Sequence, residues 1–139
     1  MGAASSGQNE RADPKKRKGR ILILDDEYDI LSLLRESLAY YGFDVDAFSD
    51  PDYAVNSFLR TPTNYDLVLM DFRLNGMDGK MIYKRFKEFG SAFKVCILTA
   101  LDFDVTEFRK FCPSFEEKFL VKKPVKISSL VQTLNSLSK

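Results

Sequence analysis

The sequence predicts a doubly wound α/β fold, in which one parallel sheet is covered by helices on both faces. Three observations carry that expectation. Short runs that are almost wholly apolar, such as "RILIL" at 20–24, "DLVLM" at 66–70 and "KVCIL" at 94–98, suit strands buried on both sides. Between them lie segments whose apolar residues recur at helical spacing. Each apolar run also ends abruptly in acids, a hydroxyl or a lysine, at what would be the carboxyl end of a strand.

The elements follow in order. After the first strand, "EYDILSLLRESLAYYG" places Ile30, Leu31, Leu34 and Leu38 on one helical face, and Gly42 can end that helix. "FDVDAF" alternates with period two, as an edge strand does. Asp50-Pro51 reads as a helix start, with Asp as N-cap and Pro in the first turn. That helix is expected to turn Ala54, Val55, Phe58 and Leu59 inward. "YDLVLMD" is the next buried strand, and a loop with Gly76 and Gly79 leads to a helix bearing Ile82, Phe86 and Phe89. "FKVCILTA" is another buried strand, followed by a weakly patterned helix over about Asp102 to Cys112. "KFLVKKP" is a short strand stopped by Pro124, and Lys126 to Ser138 is a last helix with the stripe Ile127, Leu130, Val131, Leu134 and Leu137. Five strands and five helices at these spacings suit the flavodoxin-like (βα)5 sandwich with sheet order 2-1-3-4-5.

Composition narrows the chemistry. The 139 residues are 45% hydrophobic and 29% charged, the profile of one globular domain. No apolar run is long enough to span a bilayer, and the N-terminus has no secretory h-region. Two cysteines, Cys96 and Cys112, are no disulfide framework, and the expected setting is reduced and cytoplasmic. With no histidine, a zinc site is disfavoured and any chemistry must use carboxylates, lysines and hydroxyls. A net charge of +1 gives no whole-molecule attraction to nucleic acid or anionic membrane. Residues 1–19, "MGAASSGQNERADPKKRKG", lack periodicity and apolar content, so they read as a disordered basic tail before a domain over 20–139.

In a doubly wound sheet the carboxyl ends of the strands form the ligand crevice, beside the point where strand order reverses. Asp25 and Asp26 end the first strand and Asp71 the third, and those strands should be neighbours. Thr99 ends the fourth strand and Lys123 the fifth. Carboxylates about 4 Å apart repel by roughly 4 kcal/mol per pair at an effective dielectric near 20. A site like that persists only if a cation occupies it or some carboxylates stay protonated, and a hard, partly hydrated divalent ion such as Mg2+ (or Mn2+) is the natural occupant for all-oxygen ligands. Such a site fits phosphoryl transfer, with a carboxylate as nucleophile and Lys123 and Thr99 meeting the phosphoryl oxygens. Alone, each piece has a plainer reading: acids favour a following helix N-terminus, and Lys-Pro stops a strand.

These residues resemble the receiver domain of two-component response regulators, of the stand-alone, chemotaxis-regulator-like kind. The resemblance covers Arg20 to Lys139 and rests on "ILILDDE", "DLVLMDFRLNGMDG", "VCILTA" and "FLVKKP" in order and spacing. It implies that Asp71 accepts a phosphoryl group from a histidine kinase or phosphotransfer protein. It implies direct Mg2+ binding by Asp26 and Asp71, help from Asp25 through water, and the Arg73 backbone carbonyl as a further ligand. It also implies a salt bridge from Lys123 to the phosphoryl group, a cis bond to Pro124 and an inward swing of Thr99. Such domains are switches that promote only their own phosphorylation and dephosphorylation.

Several positions depart from the family pattern. Leu120 stands where an aromatic switch residue is usual, with Phe119 beside it. Asn75 replaces a common proline, and "FCPSFEEKF" stands where "GA" usually precedes the fifth strand. Arg73 and Leu101 occupy positions that, in the family this chain resembles, tune the lifetime of the phosphorylated state. The chain ends at Lys139, so the expectation is a stand-alone receiver or a cut fragment. The resemblance puts Phe103, Phe108, Phe111, Phe115 and Phe119 on the helix 4–strand 5–helix 5 face, commonly used for targets and dimers, although a core placement is favoured for most of them. Rival readings are a phosphorylation-independent interaction module, a phosphohydrolase built on the D-x-E of Asp25 and Glu27, and nucleic-acid binding through the basic tail.

Overall fold

The computed structural model describes residues 18–60, 65–74, 77–90, 93–100 and 103–137. Lys15, Lys16 and Arg17 of the tail, and Asn75, Gly76, Leu101 and Asp102, lie outside them. Five parallel strands form one sheet: β1 (Arg20–Leu24), β2 (Asp44–Phe48), β3 (Leu67–Asp71), β4 (Lys94–Thr99) and β5 (Leu120–Lys122). Their spatial order is β2-β1-β3-β4-β5, as the sequence predicts. Five helices intervene or follow: α1 (Tyr28–Tyr40), α2 (Pro51–Arg60), α3 (Lys80–Lys87), α4 (Val105–Phe111) and α5 (Ile127–Leu137). A two-residue antiparallel ladder, Arg73–Leu74 with Met77–Asp78, closes the loop after β3.

Alternation along each strand divides the core in two. Leu22, Leu24, Val68, Met70, Val95 and Ile97 face α2, α3 and α4. Ile21, Ile23, Leu67, Leu69, Cys96 and Leu98 face α1 and α5. Central strands that bury both faces must be apolar throughout, which is why β1 and β3 read as continuous runs. β2 is half-buried throughout, matching its place at an edge.

Short polar side chains cap two helix heads. The Asp50 carboxylate accepts the Asp52 N–H at 2.8 Å at the head of α2, and the Asp104 carboxylate accepts the Glu107 N–H at 3.1 Å at the head of α4. Gly42 has φ 102°, a left-handed geometry that glycine adopts without a Cβ clash.

Leu59 is a correction: its side chain is 57% exposed. At 3.6 residues per turn the buried face of α2 is centred between Ala54 and Phe58 on the Ser57 side, and Leu59 lies well round from it. Ser57 takes the inward place, its hydroxyl 3.0 Å from that of Tyr65. The last strand is also shorter than predicted, because Glu117–Phe119 form a 3-10 turn ahead of β5. Helix α4 begins at Val105 and buries only Phe108, which explains its weak pattern.

Candidate functional site

The strand registers bring the predicted residues to one edge. Leu24 pairs with Met70, so Asp25 follows β1 beside Asp71 at the end of β3. Thr99 pairs with Lys122, so Thr99 and Lys123 close β4 and β5 side by side. The Lys123 N–H donates to the Thr99 carbonyl at 2.8 Å, and the Lys123–Pro124 bond is cis. Gly79 closes the loop after β3 tightly: a Cβ there would lie 2.8 Å from the Phe72 carbonyl oxygen.

Asp25, Asp71 and Thr99 are buried, while Asp26 is half-buried. One oxygen from each of Asp25, Asp26 and Asp71 lies within 4.8 Å of the other two. Opposite them the Lys123 ammonium donates to Asp71 Oδ2 at 3.0 Å and to Glu27 Oε1 at 3.0 Å. It also lies 3.3 Å from Asp25 Oδ2, an atom that makes no aligned hydrogen bond. Asp25 Oδ1 accepts the Glu27 N–H at 2.9 Å, and Asp71 Oδ1 accepts the Arg73 N–H at 3.3 Å. The Thr99 hydroxyl donates to the Ala100 carbonyl at a long 3.3 Å.

Burial pushes the Asp25 carboxyl up to about 6, and the charge of Asp71 adds to it, while the Glu27 N–H and Lys123 oppose it. Burial would lower the Lys123 ammonium, but its hydrogen bonds to Asp71 and Glu27 outweigh that and raise it. The cleft therefore holds more negative charge than one ammonium offsets. An all-oxygen donor set with a buried carboxylate oxygen lacking a hydrogen bond fits a hard divalent cation.

Beside this cluster is a cleft of about 210 Å3, lined by Phe72, Arg73, Thr99, Phe103 and Phe108 among others. The Phe72 ring meets Phe103 at 4.8 Å and Phe108 at 5.5 Å, linking the residue after Asp71 to α4. Leu120 opens β5 half-buried and packs on the core. Phe108 and Phe115 are core, Phe103 and Phe119 pack against it, and Phe111 alone of the five is exposed, at 38%. The core placement of most of these rings therefore holds. Sequence reasoning gave no role to Glu27 at the ammonium; its place as the third acid of "DDE" was the available signal.

A parallel sheet in this order with acids, threonine and lysine at its carboxyl edge defines a receiver, and comparison with known proteins agrees. Residues 21–135 match the family described as response regulator receiver domain, and the chain belongs to that family. It is 30% identical to regulatory protein VanRB of Enterococcus faecalis over 118 residues, covering 85% of this chain and 51% of that protein. Sporulation initiation phosphotransferase F of Bacillus subtilis is 37% identical over 81 residues, 58% of this chain and 64% of that one. The chain thus spans about half the length of VanRB. In fold it resembles the crystal structure of a response regulator receiver domain protein from Clostridium thermocellum, with a TM-score of 0.74 and 24% identity. That likeness covers 86% of this chain and 94% of the other.

Proposed function

We propose that Asp71 accepts a phosphoryl group from a histidine kinase or phosphotransfer protein in a Mg2+-dependent reaction, and that the product switches partner binding. The observation that carries this reading is the Lys123 ammonium 3.0 Å from Asp71 Oδ2, within a cluster of three carboxylates. An Asp71 oxygen attacks phosphorus, and the bond from phosphorus to the donor's imidazole nitrogen breaks. Its electron pair leaves with the ring, and an acyl phosphate remains. Bound Mg2+ would offset charge on the phosphoryl oxygens. Asp26 and Asp71 would hold it directly, Asp25 through water, and the Arg73 carbonyl would complete the protein ligands.

Lys123 pairs with the phosphoryl group, and the Thr99 hydroxyl leaves its long bond to Ala100 for a phosphoryl oxygen. Leu120 supplies no ring to follow that movement, so the output is assigned to the loop after β4 and the α4–β5–α5 face beside it. That face is the proposed surface for a downstream protein or a phosphorylation-linked dimer. The receiver unit is assigned to 20–139, with 1–19 as a basic tail. In this reading the chain is a switch rather than a turnover enzyme, in a cytoplasmic setting. Among the described residues no helix is long and apolar enough to cross a membrane.

The test is intact-mass analysis after incubation with acetyl phosphate, with and without Mg2+, on wild type and Asp71→Asn. A Mg2+-dependent gain of one phosphoryl group that is lost in the variant supports the proposal. Equal partner binding by wild type and Asp71→Asn would instead favour a phosphorylation-independent interaction module.

A further inference from the structure

Glu27 stands at the N-cap of α1, yet its side chain makes no capping hydrogen bond. It reaches across the sheet edge to Lys123, 3.0 Å from the ammonium. Glutamate is not among the favoured N-cap residues, whose short side chains satisfy the first turn. Glu27 is thus turned away from local capping toward a residue 96 positions along the chain.

An ammonium has three N–H donors, and Lys123 has three carboxylate neighbours: Asp71 and Glu27 at 3.0 Å and Asp25 at 3.3 Å. Hydrogen bonds to Asp71 and Glu27 take two of these donors and Asp25 crowds the third without one, so an arriving phosphoryl oxygen competes with all three carboxylates. The three neighbours differ in how readily they yield. The Asp25 side chain is 0% exposed, that of Asp71 8% and that of Glu27 59%. Releasing Asp25 would strand a buried charge, since its Oδ2 has no aligned hydrogen bond to fall back on. Glu27, once released, is rehydrated by solvent.

We infer that Glu27 is a releasable latch on Lys123: a positioning residue that holds the ammonium over the cleft before phosphorylation and gives up its bond when the phosphoryl group arrives. The inference rests on the proposed phosphorylation of Asp71. The latch stabilises the unmodified state only. Weakening it therefore favours phosphorylation, while hydrolysis, which starts from the released state, is unaffected. An exposed ion pair of this kind corresponds to a change of roughly two- to five-fold.

The experiment compares wild type with Glu27→Gln, which keeps the side chain's shape. The rate of phosphorylation by acetyl phosphate, the hydrolysis rate of the product and the unfolding midpoint are measured for each. The Lys123 ammonium signal is followed by NMR without metal. The latch predicts phosphorylation roughly two- to five-fold faster, hydrolysis unchanged, the midpoint kept and the ammonium signal moved. Phosphorylation unchanged or slower in the variant, an unmoved ammonium signal, or equal changes in both rates would overturn the latch while leaving Asp71 as acceptor. Failure of wild type itself to gain the phosphoryl group under any donor would overturn both.

Discussion

The Tyr65 hydroxyl donates to Asp46 Oδ2 at 2.6 Å, and the Arg20 guanidinium reaches the same oxygen at 2.6 Å. The shared acceptor joins β2, β1 and the segment entering β3, away from Asp71. Burial works against the Asp46 carboxylate, but the bonds from Tyr65 and Arg20 hold it below its ordinary range. Tyr65→Phe keeps the stacking on Phe58 at 5.3 Å and deletes only the hydroxyl. A hydrogen bond to a charged partner contributes about 1.5–3 kcal/mol, less at a half-exposed site, so we expect a loss of about 1 kcal/mol in urea unfolding at neutral pH. A depressed carboxyl adds stability above its unfolded value near 4 and loses it as pH falls further. The gap between wild type and Tyr65→Phe should therefore shrink in unfolding curves taken at pH 3.

Asp25 works in the opposite sense. Its carboxyl sits at about 6, above the ordinary value, so ionising it costs the metal-free protein stability. The favourable contribution is full below the unfolded value near 4 and is lost as pH rises through about 6. A cation binds the ionised form and competes with that proton. Mg2+ affinity, measured by calorimetric or NMR titration, should be flat above neutrality and fall by up to roughly tenfold per pH unit below 6. An affinity independent of pH from 5 to 8 would remove Asp25 from the metal site.

Arg73 follows Asp71 by two residues, its N–H 3.3 Å from Asp71 Oδ1 and its side chain exposed at the cleft mouth. We propose that this long basic side chain slows hydrolysis by standing near the attacking water's path. The phosphorylated Arg73→Asn variant should lose its phosphoryl group faster, as read by mass against time. A lifetime equal to wild type would exclude the side chain from that role.

The two thiols should differ in reactivity. Cys96 lies in β4 facing α1 and α5, and burial pushes its thiol up to about 12. Cys112 follows α4, half-buried, and burial raises it while Lys84 and Lys87 oppose the rise. A thiol reagent at pH 8 should modify Cys112 in the native protein and Cys96 only after denaturant is added. Prompt reaction of both would mean that the sheet opens readily around β4.

The central strands and the site were legible in sequence because burial on two faces leaves no room for polar residues until the strand ends. That is why Asp25, Asp71 and Thr99 stood out, and why the sheet order could be read. Leu59 was misplaced because one hydrophobic letter at the margin of a helical face says nothing about Ser57, whose inward place depends on the distant Tyr65 hydroxyl. Helix α4 was blurred because its packing runs through rings such as Phe72 and Tyr83, remote in sequence from Phe108. The contact of Glu27 with Lys123 spans 96 residues, so the third acid of "DDE" marks Glu27 but not its partner.

The two outer strands have a further consequence. A sheet that does not close presents rails of unpaired backbone groups, an invitation to stack with neighbouring chains. Here one rail, β2, carries Asp44 and Asp46, and the other, β5, is three residues long and ends in the exposed Lys122. Charge guards the first and brevity the second. The domain can crowd against its own copies while its sheet stays five strands wide.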